Sequence, residues 1–234
     1  MELSEIVEVP DVGRVFEQAV RPGLADASPS GRVRLDAIAR WVQDIAYADV
    51  EDAGVVGDSV WVVRRMRIRV SSFPRFGQAV RGRTFCSGFG RLWAERRVDF
   101  ESDDGRVEVT GVWVHLSPRS RLPAPLPESF DHIYAESARG RKVKARLRHP
   151  NPAGDEPASP WFFRRSDADV ADHVNNAAYW EPIEEFLGEP GSVDAEIEFR
   201  EPAQPGDAHV LRGPDGITWI TAPDGRVHAS VVFG

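Results

Sequence analysis

The sequence contains a single cysteine and no long apolar run. Cys86 has no second cysteine to pair with, which excludes an internal disulfide and suits a reducing compartment. No apolar run is long enough to span a bilayer, and residues 1–8 lack the basic and apolar parts of a signal peptide. We therefore predict a cytoplasmic protein without a membrane span.

Motifs for metals, nucleotides and nucleic acids are missing as well. The six histidines are scattered, with no Cys/His pair at zinc spacing, no His-Glu-x-x-His and no glycine-rich phosphate loop. The net charge of −8 argues against general nucleic-acid binding. We expect neither a metal site nor a nucleic-acid partner.

The 234 residues, 41% of them hydrophobic and 28% charged, have an ordinary globular composition. A short strand is predicted over residues 14–21 and a helix from residue 35 to about 53, with Leu35, Ile38 and Val42 on its apolar stripe. Four strands follow between residues 60 and 116, and the first of them alternates apolar and basic residues. This half reads as strand, helix and antiparallel meander.

The same order of elements returns after residue 160. The pattern predicts a strand near residues 161–166, a second helix, and four strands between residues 193 and 233. We predict an N-terminal unit at residues 1–118 and a C-terminal unit at residues 160–234. A proline-rich connector over residues 119–159 is expected to hold a short helix near 127–137 and a basic strand at 142–148. The chain is thus a tandem repeat of one α+β unit.

One stretch, residues 166–185, concentrates groups that carry chemistry. Asp169 or Asp172 is a candidate helix N-cap, and His173 would then fall in the first turn. Carboxylate, imidazole and free backbone N–H groups at one helix start are suited to polarising a carbonyl and aiming a water. The alternative is an ordinary capped surface helix, which Pro182 is expected to kink or end.

Residues 169–176, Asp-Val-Ala-Asp-His-Val-Asn-Asn, resemble the Asp-x-Asn-x-His-Val-Asn-Asn segment of the fatty acyl–acyl carrier protein thioesterases of plants and bacteria. The N-terminal half is similar to that family in two further stretches, residues 59–77 and Val112-Trp-Val114. The resemblance implies a double hotdog fold, in which each half wraps a curved antiparallel sheet around a long central helix. It also implies hydrolysis of acyl–acyl carrier protein in fatty acid biosynthesis, with no metal or organic cofactor.

The resemblance assigns catalysis to Asp169 and His173, but two family positions differ. The family's Asn is Ala171 here, and its Glu, on the strand after the helix, is Pro202. Asp172, Asn175 or the neighbouring Glu201 could compensate, although a slip of one residue turns a strand side chain to the opposite face. Asn175 or Asn176 could orient the acyl chain, and we expect at least one of the two to be structural.

These departures leave two hypotheses about the function open. The first is an acyl thioesterase; the second is a catalytically degenerate hotdog protein that binds acyl chains or acyl thioesters. Hydration or dehydration of an acyl chain on a related scaffold fits less well, because the resemblance runs through thioesterases over both halves.

The connector carries a basic cluster in an otherwise acidic chain, which we call the basic segment: Arg141, Lys142, Lys144, Arg146 and Arg148. One interpretation is a docking surface for acidic acyl carrier protein, and the other is the solvent face of an edge strand. Arg65, Arg67 and Arg69 form a second basic face with the same two interpretations. Exposed sheet edges also suggest a homodimer.

Overall fold

A ten-stranded antiparallel sheet carries the fold in this computed structural model, which describes residues 1–55 and 60–234. The first residue of the family-like stretch, Ser59, lies outside the described residues. The N-terminal half contains β1 (Phe16–Val20), α1 (Leu35–Asp52), β2 (Val60–Ser72), β3 (Val80–Phe89), β4 (Trp93–Glu101) and β5 (Arg106–Leu116). The connector contains α2 (Glu128–Ala138). The C-terminal half contains β6 (Ala158–Phe163), α3 (Trp180–Leu187), β7 (Val193–Phe199), β8 (Gly206–Arg212), β9 (Thr218–Thr221) and β10 (Val227–Phe233).

The strand order confirms the tandem repeat. The order across the sheet is β1-β3-β4-β5-β2-β7-β10-β9-β8-β6. Outward from the central β2–β7 pair, the N-terminal half continues with β5, β4, β3 and β1. The C-terminal half continues with β10, β9, β8 and β6, so each half adds its strands in the same order. The halves therefore meet where β2 pairs with β7, and the predicted division at residues 118 and 160 stays a prediction.

Helix α1 follows its apolar stripe and lies on one face of the sheet. Leu35, Ile38 and Val42 are buried, in one core with Met66 and Ile68 of β2 and with Tyr179 and Trp180 of the C-terminal half. The basic residues that alternate with Met66 and Ile68 point to the other side, which we call the outer face. The predicted helix and the alternating first strand are both confirmed.

The second central helix is shorter than expected and begins later. A 3-10 helix spans Asn176–Tyr179, and the eight-residue α3 follows it. Asn175 is the N-cap, so the predicted caps Asp169 and Asp172 are wrong, and His173 precedes the helix. Pro182 lies in the first turn of α3, where a backbone N–H is not needed and proline is tolerated. The C-terminal half thus replaces one long helix by two short pieces.

Opposite charges face each other along the β2–β7 seam. The register pairs Arg65 with Glu198, Arg67 with Glu196 and Arg69 with Asp194. Arg67 donates to both carboxylate oxygens of Asp194, at 2.7 and 2.6 Å. These arginines therefore do not form a free basic face. Arg67 pairs with Asp194, and Arg65 lies 3.8 and 3.7 Å from Glu196 and Glu198 of the other half. Arg69 pairs with Glu108 of β5, within its own half.

The basic segment does not form the predicted strand. Residues 142–148 alternate in burial as a strand would, with Val143 buried and Lys142 and Lys144 exposed, but they pair with no strand among the described residues. Instead the segment crosses the outer face, where Arg65 donates to the carbonyl oxygens of Lys144 and Arg146 at 3.2 and 2.8 Å. Alternation here reflects packing on a sheet, which is why the pattern predicted a strand.

Within the described residues, no helix is both long and apolar enough to cross a membrane.

Candidate active site

A tight loop, residues 167–175, precedes the 3-10 helix and holds the predicted catalytic residues; we call it the Asp169 loop. The Asp169 N–H donates to the His173 carbonyl oxygen at 3.0 Å, and the Asp172 N–H donates to the Asp169 carbonyl oxygen at 3.0 Å. Asp172 has φ +61°, a left-handed conformation that Asp tolerates better than most residues. The loop thus brings Asp169 and His173 to one place.

The Asp169 carboxylate is held on both oxygens. Its Oδ1 accepts the Ala171 N–H at 2.8 Å, and its Oδ2 accepts the Asn175 side-chain NH2 at 3.0 Å. His173 Nδ1 lies 4.0 Å from Asp169 Oδ1, and both side chains are a little over a quarter exposed. His173 Nδ1 is buried and has no hydrogen-bond partner among the described residues. The carboxylate is therefore oriented, partly exposed and close to an imidazole.

Gln43 of α1 reaches this loop from the N-terminal half. Its Nε2 donates to Asn175 Oδ1, and its Oε1 accepts from Asn175 Nδ2, each at 3.0 Å. No local sequence pattern points to Gln43, because it lies 132 positions from Asn175. Asn175, proposed above only as a supporting residue, thus connects α1 to Asp169.

The backbone N–H groups near the helix start are only partly available. Those of Val174 and Asn175 donate to the carbonyl oxygens of Ala203 and Asp167, at 2.9 and 2.8 Å, and that of Ala177 donates to Asn175 Oδ1. The Asn176 N–H, at the first helical position, has no acceptor among the hydrogen bonds of the described residues. An oxyanion at this helix start would therefore be bound by Asn176 rather than by Val174.

The other predicted residues are placed differently. Asp172 is exposed, and its carbonyl oxygen accepts from the Gln204 side chain at 3.0 Å. The Glu201 carboxylate is exposed and lies 3.6 Å from Arg226 on the β9–β10 hairpin. Ala171 and Pro202, which the motif resemblance aligns with the family's Asn and Glu, are both exposed. The Glu201 carboxylate therefore lies beside Arg226, which is not part of the Asp169 loop.

Tyr179 is a buried neighbour of the loop. Its hydroxyl accepts the Ala203 N–H at 2.9 Å, and its ring packs on Phe163 and Phe199. Burial raises the pKa of Tyr179 to about 12, and the charge of Asp169 acts in the same direction. The phenol therefore stays protonated at neutral pH and fixes residue 203 against the loop.

The N-terminal half contains a counterpart of the Asp169 loop, residues 26–34, which we call the Ser28 loop. Asp26 and Asp167 are 141 positions apart in the sequence, and the carboxylate of each accepts the backbone N–H of the residue three positions before it. Antiparallel bridges join Ala27 to Val33 and Ala168 to Val174 at the same offset. The left-handed residues Gly31 and Asp172 also correspond. In this repeat Ser28 replaces Asp169, and Arg32 replaces His173.

The basic segment lies on the outer face, whereas α1 and the Asp169 loop share the opposite face. Arg141 is ion-paired with Glu95 and Glu5, and Arg148 with Glu196. Lys142 lies over the Phe89 ring, with Nζ 4.8 Å from the ring centroid. Lys144 and Arg146 are exposed and have no acidic partner in the described part of the chain. These two are the cations of the segment that remain free for an acidic partner.

The described residues bring one group of potential metal ligands together: His149, Glu196 and Glu198, with ligand atoms within 4.8 Å of one another. The backbone N–H groups of Ser4 and Arg148 donate to these carboxylates, and the Arg148 side chain pairs with Glu196. Arg65 lies within 4 Å of both acids. Two guanidinium groups already neutralise two carboxylates, so the cluster is better suited to fastening the connector than to holding a cation.

Comparison with known proteins assigns the family. Residues 13–134 match the acyl-ACP thioesterase N-terminal domain, and residues 153–208 match the acyl-ACP thioesterase C-terminal domain. The chain therefore belongs to the acyl-ACP thioesterase family. This confirms the resemblance inferred from the motif at residues 169–176.

Two relatives illustrate the kinds of protein to which this chain is similar. Rv2001 of Mycobacterium tuberculosis, an uncharacterised protein, is 27% identical over 215 residues, covering 88% of this chain and 85% of that protein. The chloroplastic palmitoyl-acyl carrier protein thioesterase of Arabidopsis thaliana is 26% identical over 195 residues. That match covers 71% of this chain but only 46% of the plant protein, so the chain spans about half of its plant relative.

Solved structures establish the double hotdog fold. An acyl-ACP thioesterase from Bacteroides thetaiotaomicron superposes with a TM-score of 0.77 and 15% identity, covering 94% of this chain and 98% of that one. The 12:0-ACP thioesterase from Umbellularia californica gives a TM-score of 0.70 and 17% identity, covering 93% of this chain and 95% of that one. The predicted α+β tandem hotdog is confirmed.

Proposed function

We propose that this protein hydrolyses fatty acyl thioesters carried by acyl carrier protein and releases the free fatty acid, as a step of fatty acid biosynthesis. The observation that carries the proposal is the Asp169 carboxylate. It is fixed by the Ala171 N–H and the Asn175 amide, and it faces His173. Family membership supports the reaction class.

The residues support a hydrolysis in which Asp169 acts first. As general base, Asp169 takes a proton from water while the water oxygen bonds to the thioester carbon. As nucleophile, its own oxygen would form that bond, and after the thiolate has left, water would hydrolyse the acyl–Asp169 anhydride, which releases the fatty acid and restores the carboxylate. The Asn176 N–H stabilises the oxyanion that develops. When the intermediate collapses, the carbon–sulfur bond breaks, the thiolate leaves, and His173 or protonated Asp169 supplies its proton.

The missing family Asn and Glu do not prevent this chemistry in principle. A thiolate is a good leaving group, so acid catalysis of its departure is a mild demand. The roles that remain are base, oxyanion donor and orienting amide. Asp169, Asn176 and Asn175 provide these three groups within one loop and one helix start.

The second candidate is an acyl-binding protein that no longer hydrolyses thioesters. The specific observation in its favour is that Ala171 and Pro202 are apolar, while the nearby Glu201 carboxylate is turned toward Arg226. Under this hypothesis the Asp169 loop would bind the thioester without hydrolysing it.

One assay separates the two candidates. Purified protein is mixed with acyl carrier protein thioesters of medium to long saturated chains, and free thiol is measured. The Asp169→Asn variant is run beside it, after circular dichroism has established that it is folded. We expect turnover in the wild type and a loss of at least about 100-fold in the variant.

A folded Asp169→Asn protein that keeps full activity would overturn the catalytic assignment. An inactive wild type that still retains acyl thioester, detected by native mass spectrometry, would favour the binding protein.

A further inference from the structure

The catalytic carboxylate proposed above depends on a side chain from the other half of the molecule. Asn175 Nδ2 has two hydrogen atoms, one directed to Asp169 Oδ2 and one to Gln43 Oε1. Asn175 Oδ1 has two lone pairs, one accepting from Ala177 N–H and one from Gln43 Nε2. All four hydrogen-bonding positions of this amide are therefore occupied.

Full occupancy fixes which way the amide faces. The Ala177 N–H can only be met by the oxygen, and the ionised Asp169 can only be met by the NH2 group. Gln43 satisfies both remaining positions at once, because its own amide presents a donor and an acceptor side by side. Without Gln43, half of the bonds that hold Asn175 would be lost.

The internal repeat gives Gln43 a counterpart with a different partner. Glu184 of α3 stands 141 positions after Gln43 (43 and 184), the same offset that relates the two loops. It reaches back across the interface, pairs with Arg32 of the Ser28 loop and accepts the Leu35 N–H at 2.7 Å. Each central helix thus orders the loop of the opposite half, but only Gln43 contacts a residue that holds the catalytic carboxylate.

We propose that Gln43 is a positioning residue for thioester hydrolysis, acting through Asn175 on Asp169. This inference rests on the proposed function. It means that the active site is shared: the C-terminal half supplies the reacting groups, and the N-terminal half supplies the amide that orients them.

The test begins with Gln43→Met, which keeps the side-chain length but removes both hydrogen bonds. We expect kcat to fall by about 10- to 100-fold, since small displacements of a reacting group have effects of that size. KM should change little, because Gln43 contacts Asn175 rather than the acyl thioester.

A double-mutant cycle with Asn175→Ala identifies the route of the effect. If Gln43 acts through Asn175, then adding Gln43→Met to Asn175→Ala should reduce kcat by less than about twofold further. Two independent effects would instead multiply, and multiplication would overturn the inference.

Glu184→Met is the matched control, because it removes the corresponding side chain from the other helix. It leaves buried Arg32 without its carboxylate and should lower the thermal midpoint. Turnover per folded molecule should nevertheless stay within about twofold of wild type. An equal fall in kcat for both variants would reduce Gln43 to a general packing role.

A second readout does not depend on turnover. The side-chain NH2 signals of Asn175 can be followed by nuclear magnetic resonance in wild type and in Gln43→Met. We expect these signals to shift and to exchange faster with water in the variant, while Glu184→Met leaves them in place. Unchanged Asn175 signals in Gln43→Met would refute the positioning role, whether or not the wild type is an enzyme.

Discussion

Pro202 in the C-terminal half corresponds to Phe73 in the N-terminal half. The Val174 N–H donates to the carbonyl oxygen of Ala203, and its counterpart, the Val33 N–H, donates to that of Pro74, so the residues before these acceptors correspond as well. In the N-terminal half the Arg32 guanidinium lies over the Phe73 ring, 4.2 Å from its centroid. Because Arg32 is the counterpart of His173, a side chain at position 202 is expected beside the His173 imidazole.

This relationship predicts that the Asn and Glu implied by the family resemblance can be introduced beside Asp169 and His173. Ala171→Asn together with Pro202→Glu should raise kcat by about tenfold or more, since a positioned acid or base contributes roughly 100- to 10,000-fold where it is fully effective. Thiol release from acyl carrier protein thioesters is the measurement.

Ser30→Asn supplies the control, because Ser30 is the counterpart of Ala171 in the Ser28 loop and should leave kcat unchanged. A double variant that is folded but no faster than wild type would show that position 202 does not reach the reacting groups.

The basic segment gives a prediction about the carrier. If the basic segment is the docking surface for an acidic carrier, Lys144→Glu with Arg146→Glu should raise KM for acyl carrier protein thioesters about tenfold, because two exposed cations become anions that repel the carrier. KM for the matching coenzyme A thioesters should not change. The wild-type KM for the carrier-bound substrate should also rise with salt.

Arg21→Glu, an exposed change beyond edge strand β1, controls for net charge. If all variants and both substrates respond equally, the segment is not a docking surface and its cations serve only solubility.

The buried Glu196 carboxylate is expected to make the free energy of unfolding depend on pH in the acid range. Burial raises its pKa, but the His149 imidazole 3.6 Å away, the hydrogen bond from Ser4 and the charge of Arg148 outweigh burial and lower the pKa of Glu196 to about 2, from an ordinary value of 4.5. Because the folded-state value is the lower one, the ionised group stabilises the fold above about pH 4.5. That contribution, on the order of 3 kcal/mol, is lost as the pH falls toward 2.

Urea unfolding of wild type and Glu196→Gln between pH 7 and pH 2 checks this. The gap between their unfolding free energies should be constant above about pH 4.5 and should close below it. Glu17→Gln, on the exposed edge strand, should follow the wild type throughout. Parallel curves for Glu196→Gln down to pH 2 would contradict the ion-pair account.

Cys86 should be chemically silent. It is 1% exposed, and burial raises its pKa to about 11, so the thiol is neither accessible nor ionised at pH 8. We expect native protein to resist iodoacetamide at pH 8, while protein unfolded in guanidinium reacts completely.

Cys86→Ala should keep full turnover per folded molecule and cost about 1 kcal/mol of stability through the cavity it leaves. Rapid labelling of the native protein, or lost turnover in folded Cys86→Ala, would contradict this prediction and indicate a chemical role for the thiol.

The helices and strands follow from local pattern to different degrees. The stripe of α1 and the alternation of β2 predicted both elements, because each pattern fits only one backbone period. Residues 142–148 alternate just as clearly, yet they pair with no strand in the described part of the chain, since alternation reports a packed extended segment and not its hydrogen-bond partners. The helix is predicted to start earlier than it does, because an aspartate side chain can accept a nearby backbone N–H in a turn as well as at a helix N-cap. Asp169 accepts the Ala171 N–H in such a turn.

The sequence by itself determined the family, the tandem order of elements and the loop that carries Asp169 and His173, because these depend on residues close together in the chain. Only the tertiary structure decided that Asn175 is held by Gln43, that Arg67 is neutralised by Asp194, and that Glu201 turns to Arg226. These pairs join distant residues, and their partners are fixed by which strands and helices become neighbours. That choice is made by the packing of the two halves along β2 and β7.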